Sequence, residues 1–353
     1  MSIQLQRVKF DLLASVTGRV PIDREAHVDP TPRVAKVGDL VAVRALNESR
    51  SYGMLETPSG RLARIKKGSV VCGVLGERRA LKGIVGEVPA FIAAGDQLSI
   101  LNLGGVIGQK TGVSSSLGTV VDVEVIGSVC DADGTVLNLA NDALPVADEL
   151  APSAPIILVA GTCMNSGKTV AVAEIIREAA LRGLKVAGVK LTGVACLRDT
   201  LEMQDNGAFA TVSFLDFGLP STVGNADLDK VAIGALNYLN SLSPDLIVAE
   251  LGDGVLGGYS VERLLGSSKV MGAVKKLVFC ASDFVGVVGG ITVLKEFGLQ
   301  PDVISGAVTD SSMGESAIRD RFQIDAANAR NDSARLYTLA ADLQINAREA
   351  SVC

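Results

Sequence analysis

The sequence predicts an α/β protein in two parts: a smaller β-rich domain, then a doubly wound, mostly parallel sheet. Three observations predict it. Short apolar runs separated by turn residues fill the first 140 residues. After Pro155, apolar strand-like runs alternate with segments of helical spacing. A Gly-rich loop ending in a lysine sits at the first strand-to-helix junction. The chain has 353 residues, 48% of them apolar and 20% charged. That is more than a single core usually holds, so two domains are expected. The expected boundaries are a β-rich domain over 1–145, a linker over 146–154 and an α/β domain over 155–353.

In the first half, Leu40–Leu46, Arg61–Ile65, Ser69–Val74, Gln97–Leu103 and Thr119–Ile126 each read as a strand. Turn signals such as Pro58-Ser59-Gly60, Ala94-Gly95-Asp96 and Ala132-Asp133-Gly134 separate them. No helical period is sustained, so a small barrel or sandwich is expected. The Gly104–Gly108 run, with Gly112 and Ser114–Ser116 after it, reads as a flexible loop or a lid. Arg78, Arg79 and Lys82 form the one dense basic cluster; it is either a solvated loop or a source of Arg for a bound anion. The linker stretch Asn141–Pro155 carries three prolines and several acidic residues.

In the second half, Pro155–Ala160 is wholly apolar, as in a strand buried on both faces. Thr169–Arg182 has helical spacing and is closed by Gly183. Strands are expected at Lys185–Leu191, Leu246–Leu251, Lys276–Ala281 and Asp302–Val308, and helices at Leu228–Leu242 and Val285–Phe297. Alternation of this kind means right-handed crossovers and a parallel sheet. Ligands of such sheets bind beyond the carboxyl ends of the strands.

The strongest chemical signal is Gly161-Thr162-Cys163-Met164-Asn165-Ser166-Gly167-Lys168-Thr169. It follows a buried strand and opens a helix, the setting of a phosphate-binding loop, so the α/β domain is expected to be of P-loop NTPase type. Backbone amides and the helix N-terminus offer partial positive charge to phosphates. Lys168 adds a full charge, and the Thr169 hydroxyl suits Mg²⁺. The expected nucleotide-binding set is Gly161, Thr162, Asn165, Ser166, Gly167, Lys168, Thr169 and Val170. Five residues separate Gly161 from Gly167, where the usual loop has four. Cys163 reads as a loop filler, since the single histidine, His27, leaves no obvious Cys–His pair.

This longer loop, the following helix and the run Gly183-Leu184-Lys185-Val186-Ala187-Gly188-Val189-Lys190 resemble dethiobiotin synthetase and the amidating synthases of cobyric and cobyrinic acid. The resemblance covers about residues 155–325. It implies ATP and Mg²⁺ as cofactors. It implies that Lys190 faces the reacting groups and that Glu250, in Ser243–Gly254, holds Mg²⁺ beside Thr169. It also implies that Thr309 or Asp310, after the last strand, reads the base. The Lys-Pro-Val motif of that family is replaced here by Lys190-Leu191-Thr192-Gly193, and the β domain has no counterpart in dethiobiotin synthetase.

The residues themselves leave alternatives. Lys190 is a catalytic group with Lys168, or a solvated strand end. An unpaired buried carboxylate at Glu250 would be costly without a cation. Asp253 reads as a turn residue. Among Asp199, Glu202 and Asp205, Asp205 is the expected further metal ligand; the alternative is a solvated helix face. Ser221 and Thr222 bind substrate or form a plain turn.

The net charge of −6 speaks against a nucleic-acid binder. No apolar run reaches the ~18–20 residues of a membrane span. No signal peptide is read at the N-terminus, and six scattered cysteines (72, 130, 163, 196, 280, 353) suit a reducing cytoplasm. The leading expectation is a homodimeric, ATP-dependent ligase that activates a small-molecule carboxylate or carbamate for attack by an amine. One alternative is a nucleotide-hydrolysing switch or maturation factor acting on a protein partner. Another is a transferase that binds a nucleotide-like carrier without hydrolysis.

Overall fold

The computed structural model describes residues 5–341; Cys353 lies outside them. The chain divides into two compact units. The first takes residues 1–144 together with 194–198 and 214–223; the second takes the rest. The two short segments come from the stretch that the sequence assigned wholly to the α/β domain.

The first unit is a barrel. Five strands, β1 (Leu40–Ala45), β2 (Val70–Leu75), β3 (Gln97–Ile100), β4 (Val106–Val113) and β5 (Asp122–Cys130), form a closed ring. β5 pairs β1, β1 pairs β2, β2 runs parallel to β4, and β3 bridges β4 back to β5. Val41, Val43, Val71, Val74, Ile107, Val123 and Val125 are buried in it. Closure removes exposed sheet edges. β4 corrects the expectation of a flexible loop or lid over 104–116. Its Gly108 is a site of close backbone approach, where a Cβ would lie 2.8 Å from Glu87 O and 2.9 Å from Gly76 O. Arg78 is neither solvated nor aimed at an anion. It is 5% exposed and donates to Leu101 O and to the Tyr52 hydroxyl.

The second unit is a parallel α/β sheet. Its strands are β6 (Ile156–Gly161), β7 (Val186–Thr192), β8 (Ala210–Ser213), β9 (Leu246–Leu251), β10 (Val274–Cys280), β11 (Val303–Ser305) and β12 (Asp325–Ala326). The order is β8-β7-β9-β6-β10-β11-β12, and every pair is parallel. The helices used below are α1 (Lys168–Leu181), α2 (Arg198–Asp205), α3 (Leu228–Ser241), α4 (Phe284–Glu296), α5 (Ser312–Phe322) and α6 (Ser333–Ala340). α1 forms because Ala171, Val172, Ile175, Ile176 and Ala179 make one apolar stripe, and all five are buried. They pack with Ile157 and Val159 of β6, Val248 of β9 and Leu336 of α6. β6 and β9 are buried along their whole length, as expected of central parallel strands. The chain order reverses around β6, so its carboxyl end is the switch point where such sheets bind ligands.

Candidate functional site

The loop Thr162–Gly167 joins β6 to α1 at that switch point. Asn165 and Gly167 take positive φ, +63° and +104°, so the loop curls. Two turns from neighbouring strands brace it. Gly254 follows β9; a Cβ there would lie 2.3 Å from Thr162 O. Gly306 follows β11, with φ +93°, and a Cβ there would lie 2.1 Å from Ser166 O. Only glycine allows backbone to approach so closely. Val255 N donates to Gly161 O and Thr162 N to Cys280 O, both at 3.0 Å, so the base of the loop is tied on two sides.

Lys168 is 6% exposed and folds back to donate from Nζ to Cys163 O at 2.8 Å. Burial pushes its ammonium below the usual lysine range, and the nearby Glu250 carboxylate opposes that shift. Lys168 opens α1, where the first-turn amides lack intrahelical acceptors. Ser166 is fully buried and its hydroxyl has no hydrogen-bond partner. Thr169 donates from Oγ1 to Glu250 Oε1 at 3.2 Å. Glu250 is 2% exposed, and its Oε2 has no partner. A buried carboxylate oxygen left unpaired, beside a hydroxyl on the first turn of α1, fits a hard divalent cation such as Mg²⁺.

Lys190 lies on β7 directly in register with Glu250 on β9. Its Nζ forms an ion pair with Asp199, in the first turn of α2. The two side chains are 12% and 14% exposed. A Cβ at Gly252 would come within 3.6 Å of Lys190 Nζ, so the turn after β9 passes beside this lysine. Lys168, Thr169, Lys190, Asp199 and Glu250 therefore gather at the carboxyl edge of β6, β7 and β9.

Asp205 does not join them. It ends α2 rather than starting it, is exposed, and leads toward the start of β8 at the opposite edge of the sheet. The expected metal set is thus reduced to Thr169 and Glu250. An eight-residue helix carries its two ends to opposite edges, and the sequence does not say which end faces the site.

Thr309 is 1% exposed, and its hydroxyl donates to Gly306 O at 2.7 Å. That hydroxyl shapes the turn and is not presented to a base. Asp310 is exposed, and its Oδ1 accepts from Asn328 Nδ2 at 2.9 Å. Asn328, just after β12, was not singled out from the sequence. It is 4% exposed and also accepts at Oδ1 from the amides of Arg330 and Asn331, which fixes its orientation toward Asp310. Ser221 and Thr222 are 6% and 0% exposed and belong to the segment 214–223 of the barrel unit. None of the described cysteines forms a disulfide; Cys163 lies on the loop, 4.0 Å from Ser282 Oγ.

No protein-family model matches the chain, and no curated protein matches it either. Solved structures are similar to part of the chain. One is the signal recognition particle receptor FtsY from Elizabethkingia anophelis, at 15% identity and TM-score 0.35, with 57% of this chain and 69% of that chain covered. Another is the same organism's FtsY in complex with GDP, at 13% identity and TM-score 0.39, covering 60% and 70%. A third is the signal recognition particle 54 kDa protein from Aeropyrum pernix K1 in complex with GDP, at 16% identity and TM-score 0.38. There the coverage is 55% of this chain and 48% of that one. The resemblance to dethiobiotin synthetase finds no support among these neighbours. The statement that stands is the coarser one, and it rests on the chain itself: the α/β unit is a parallel sheet with a Gly-rich, lysine-bearing loop at its switch point. Among the described residues, no helix is long and apolar enough to cross a membrane.

Proposed function

We propose that this chain is a Mg²⁺-dependent nucleoside triphosphatase whose turnover serves as a switch toward a protein partner. The observation that carries the reading is the buried Glu250 carboxylate, with one oxygen on Thr169 and the other unpaired, beside the buried Lys168. Thr169 and Glu250 would hold the metal, which supplies charge neutralisation at the phosphate oxygens. The loop amides and the start of α1 bind the phosphates, and Lys168 leaves Cys163 O to take a phosphate oxygen in its place. The low-dielectric surroundings of Lys168 make that exchange strong. Asp199 satisfies Lys190 in the absence of ligand and holds its ammonium beside Glu250.

The switch reading asks nothing of Lys190 toward a small-molecule substrate, since Asp199 already pairs it. The ligase reading keeps one observation in its favour, the position of Lys190 in register with Glu250.

Phosphate release from ATP and from GTP with Mg²⁺ tests both. The expected result is slow release without any added small molecule, falling by about 10²–10³ in Lys168→Ala. Release that requires a small carboxylate together with an amine would overturn the switch in favour of the ligase. Binding of neither nucleotide would overturn both readings.

A further inference from the structure

We propose that the outer face of α4 is the surface through which two copies of this chain associate, helix against antiparallel helix. The inference stands on contacts within the α/β unit and does not depend on nucleotide turnover. α4 carries no charged residue from Phe284 to Leu294. A surface helix ordinarily turns charged and polar residues to water on its outer side. The inner side of α4 is that of a packed helix: Val287, Gly290 and Leu294 are buried. The outer side is apolar as well. Val285 is 80% exposed and Val288 43%, and Gly289 and Thr292 are exposed beside them. These four fall at i, i+3, i+4 and i+7, which is one stripe of a helix.

Glycine in a helix interior costs about 1 kcal/mol relative to alanine, and α4 holds Gly286, Gly289 and Gly290. Two of them have a reason inside the unit. A Cβ at Gly286 would lie 3.1 Å from Thr162 Cγ2, and one at Gly290 would lie 2.1 Å from Cε1 of Phe279 on β10. Gly289 has no such reason, because a Cβ there meets nothing within 4 Å. It is a notch in the middle of the exposed stripe, and a notch lets a second backbone come close.

The two ends of α4 say what fills the notch. Asp283 is the exposed N-cap, and its Oδ1 accepts from Gly286 N at 2.7 Å. Lys295, in the last turn, is exposed and is in none of the ion pairs found among the described residues. Gly289 lies midway between them in the sequence. A two-fold axis through Gly289 runs two copies of α4 antiparallel. It sets Asp283 of each copy opposite Lys295 of the other, Val285 opposite Thr292 and Val293, and Val288 against the notch. An isologous contact requires this self-complementarity, whereas a foreign partner asks for no such symmetry. A 13-residue helix is about 20 Å long, so the pair buries less than the ~1,200–2,000 Å² of a standing interface, and the dimer is a reversible one.

Sedimentation equilibrium of the full chain across the micromolar range reads the association. Wild type is expected to pass from monomer to dimer as concentration rises. Val288→Glu places two carboxylates at the centre of the contact and raises the dimer Kd by ~30-fold or more. Lys295→Glu sets acid against acid at both ends and raises it about tenfold. Adding Asp283→Asn to that variant recovers most of the loss, because asparagine keeps the capping oxygen and removes the repulsion. Gly289→Ala raises the melting temperature of dilute protein yet weakens association, since the methyl favours the helix and fills the notch.

Oxidation with copper phenanthroline checks the register. Two Val288→Cys copies have their Cα atoms only ~3 Å apart along the helix axes, within reach of a disulfide. Two Val285→Cys copies are ~12 Å apart along the axes and stay unbridged. The bridge is mapped to the introduced thiols by mass spectrometry. A chain that stays monomeric throughout would overturn the proposal. So would a dimer indifferent to both Val288→Glu and Lys295→Glu, which places the contact elsewhere, or a Val285→Cys bridge that forms as readily as the Val288→Cys one.

Discussion

Replacing Gly254 by alanine puts a methyl group into the back of the phosphate loop. The new Cβ would lie 2.3 Å from Thr162 O, 2.7 Å from Thr162 C and 2.9 Å from Cys163 Cα. Non-bonded carbon contacts are comfortable near 3.5–4.0 Å, so about 1 Å of movement is needed. The atoms opposed are backbone on both sides, and no flexible side chain can swing away. Gly254 has no positive φ, so alanine itself is not strained there and the effect is one of space. Overpacking of this kind costs about 1–3 kcal/mol. If the loop yields, the whole cost falls on nucleotide binding, about a 5- to 150-fold rise in Kd. If the turn yields, the same cost is read as lost stability. Titration with a fluorescent nucleotide and a thermal melt, with and without nucleotide, separate the two. Gly289→Ala on α4 is the control, because a Cβ there meets nothing within 4 Å. It should stabilise by up to ~1 kcal/mol and leave Kd unchanged. Wild-type affinity together with wild-type melting in Gly254→Ala would refute the claim that the β9 turn braces the loop.

Two further outcomes follow from charged side chains. Glu178 on α1 is held below the usual carboxylate range, first by the Arg182 hydrogen bond and then by Ser333 of α6. A depressed native pKa stabilises above the unfolded value, near 4.3, and the benefit disappears as pH falls through the native value. Glu178→Gln should therefore lower the melting temperature at neutral pH, with the gap to wild type closing in acid; a pH-independent gap would sink the assignment. Asp205→Asn should leave the Mg²⁺ dependence of phosphate release at the wild-type value. Glu250→Gln should raise the Mg²⁺ concentration needed and cut turnover about 10²-fold or more; an equal effect of both substitutions would restore Asp205 to the metal site.

Much of the α/β unit is legible in the sequence because its strands are buried on both faces. Ile156–Gly161 and Leu246–Leu251 stand out as apolar runs, and the charged residues Lys190 and Glu250 stand out by interrupting or ending such runs. The phosphate loop is legible because its chemistry and its strand–helix setting are local. What escapes is whatever depends on tertiary neighbours. Gly254 and Gly306 look like turn glycines, and nothing local says that the phosphate loop passes against them. Asn328 lies 18 residues from Asp310 and meets it only once β12 is added to the sheet. Asp199 and Asp205 share a short helix whose direction across the sheet edge is set by the strands on either side. β4 is hidden by glycines that a loop and a crowded strand interior both demand.

The division of the chain has a consequence for how the protein is made. The barrel unit takes its last residues from 214–223, although its main body ends at Leu144. A ribosome adding ~5–20 residues per second needs about 4–16 s more to deliver those residues. For the first part of that interval Gly104, Asn102 and Glu56 have been synthesised, but their neighbours Ala195 and Leu197 have not. The amino-terminal unit therefore matures only after much of the α/β unit has emerged. Expression of residues 1–144 alone gives a barrel with a buried carboxylate and an asparagine that lack the partners they have in the full chain.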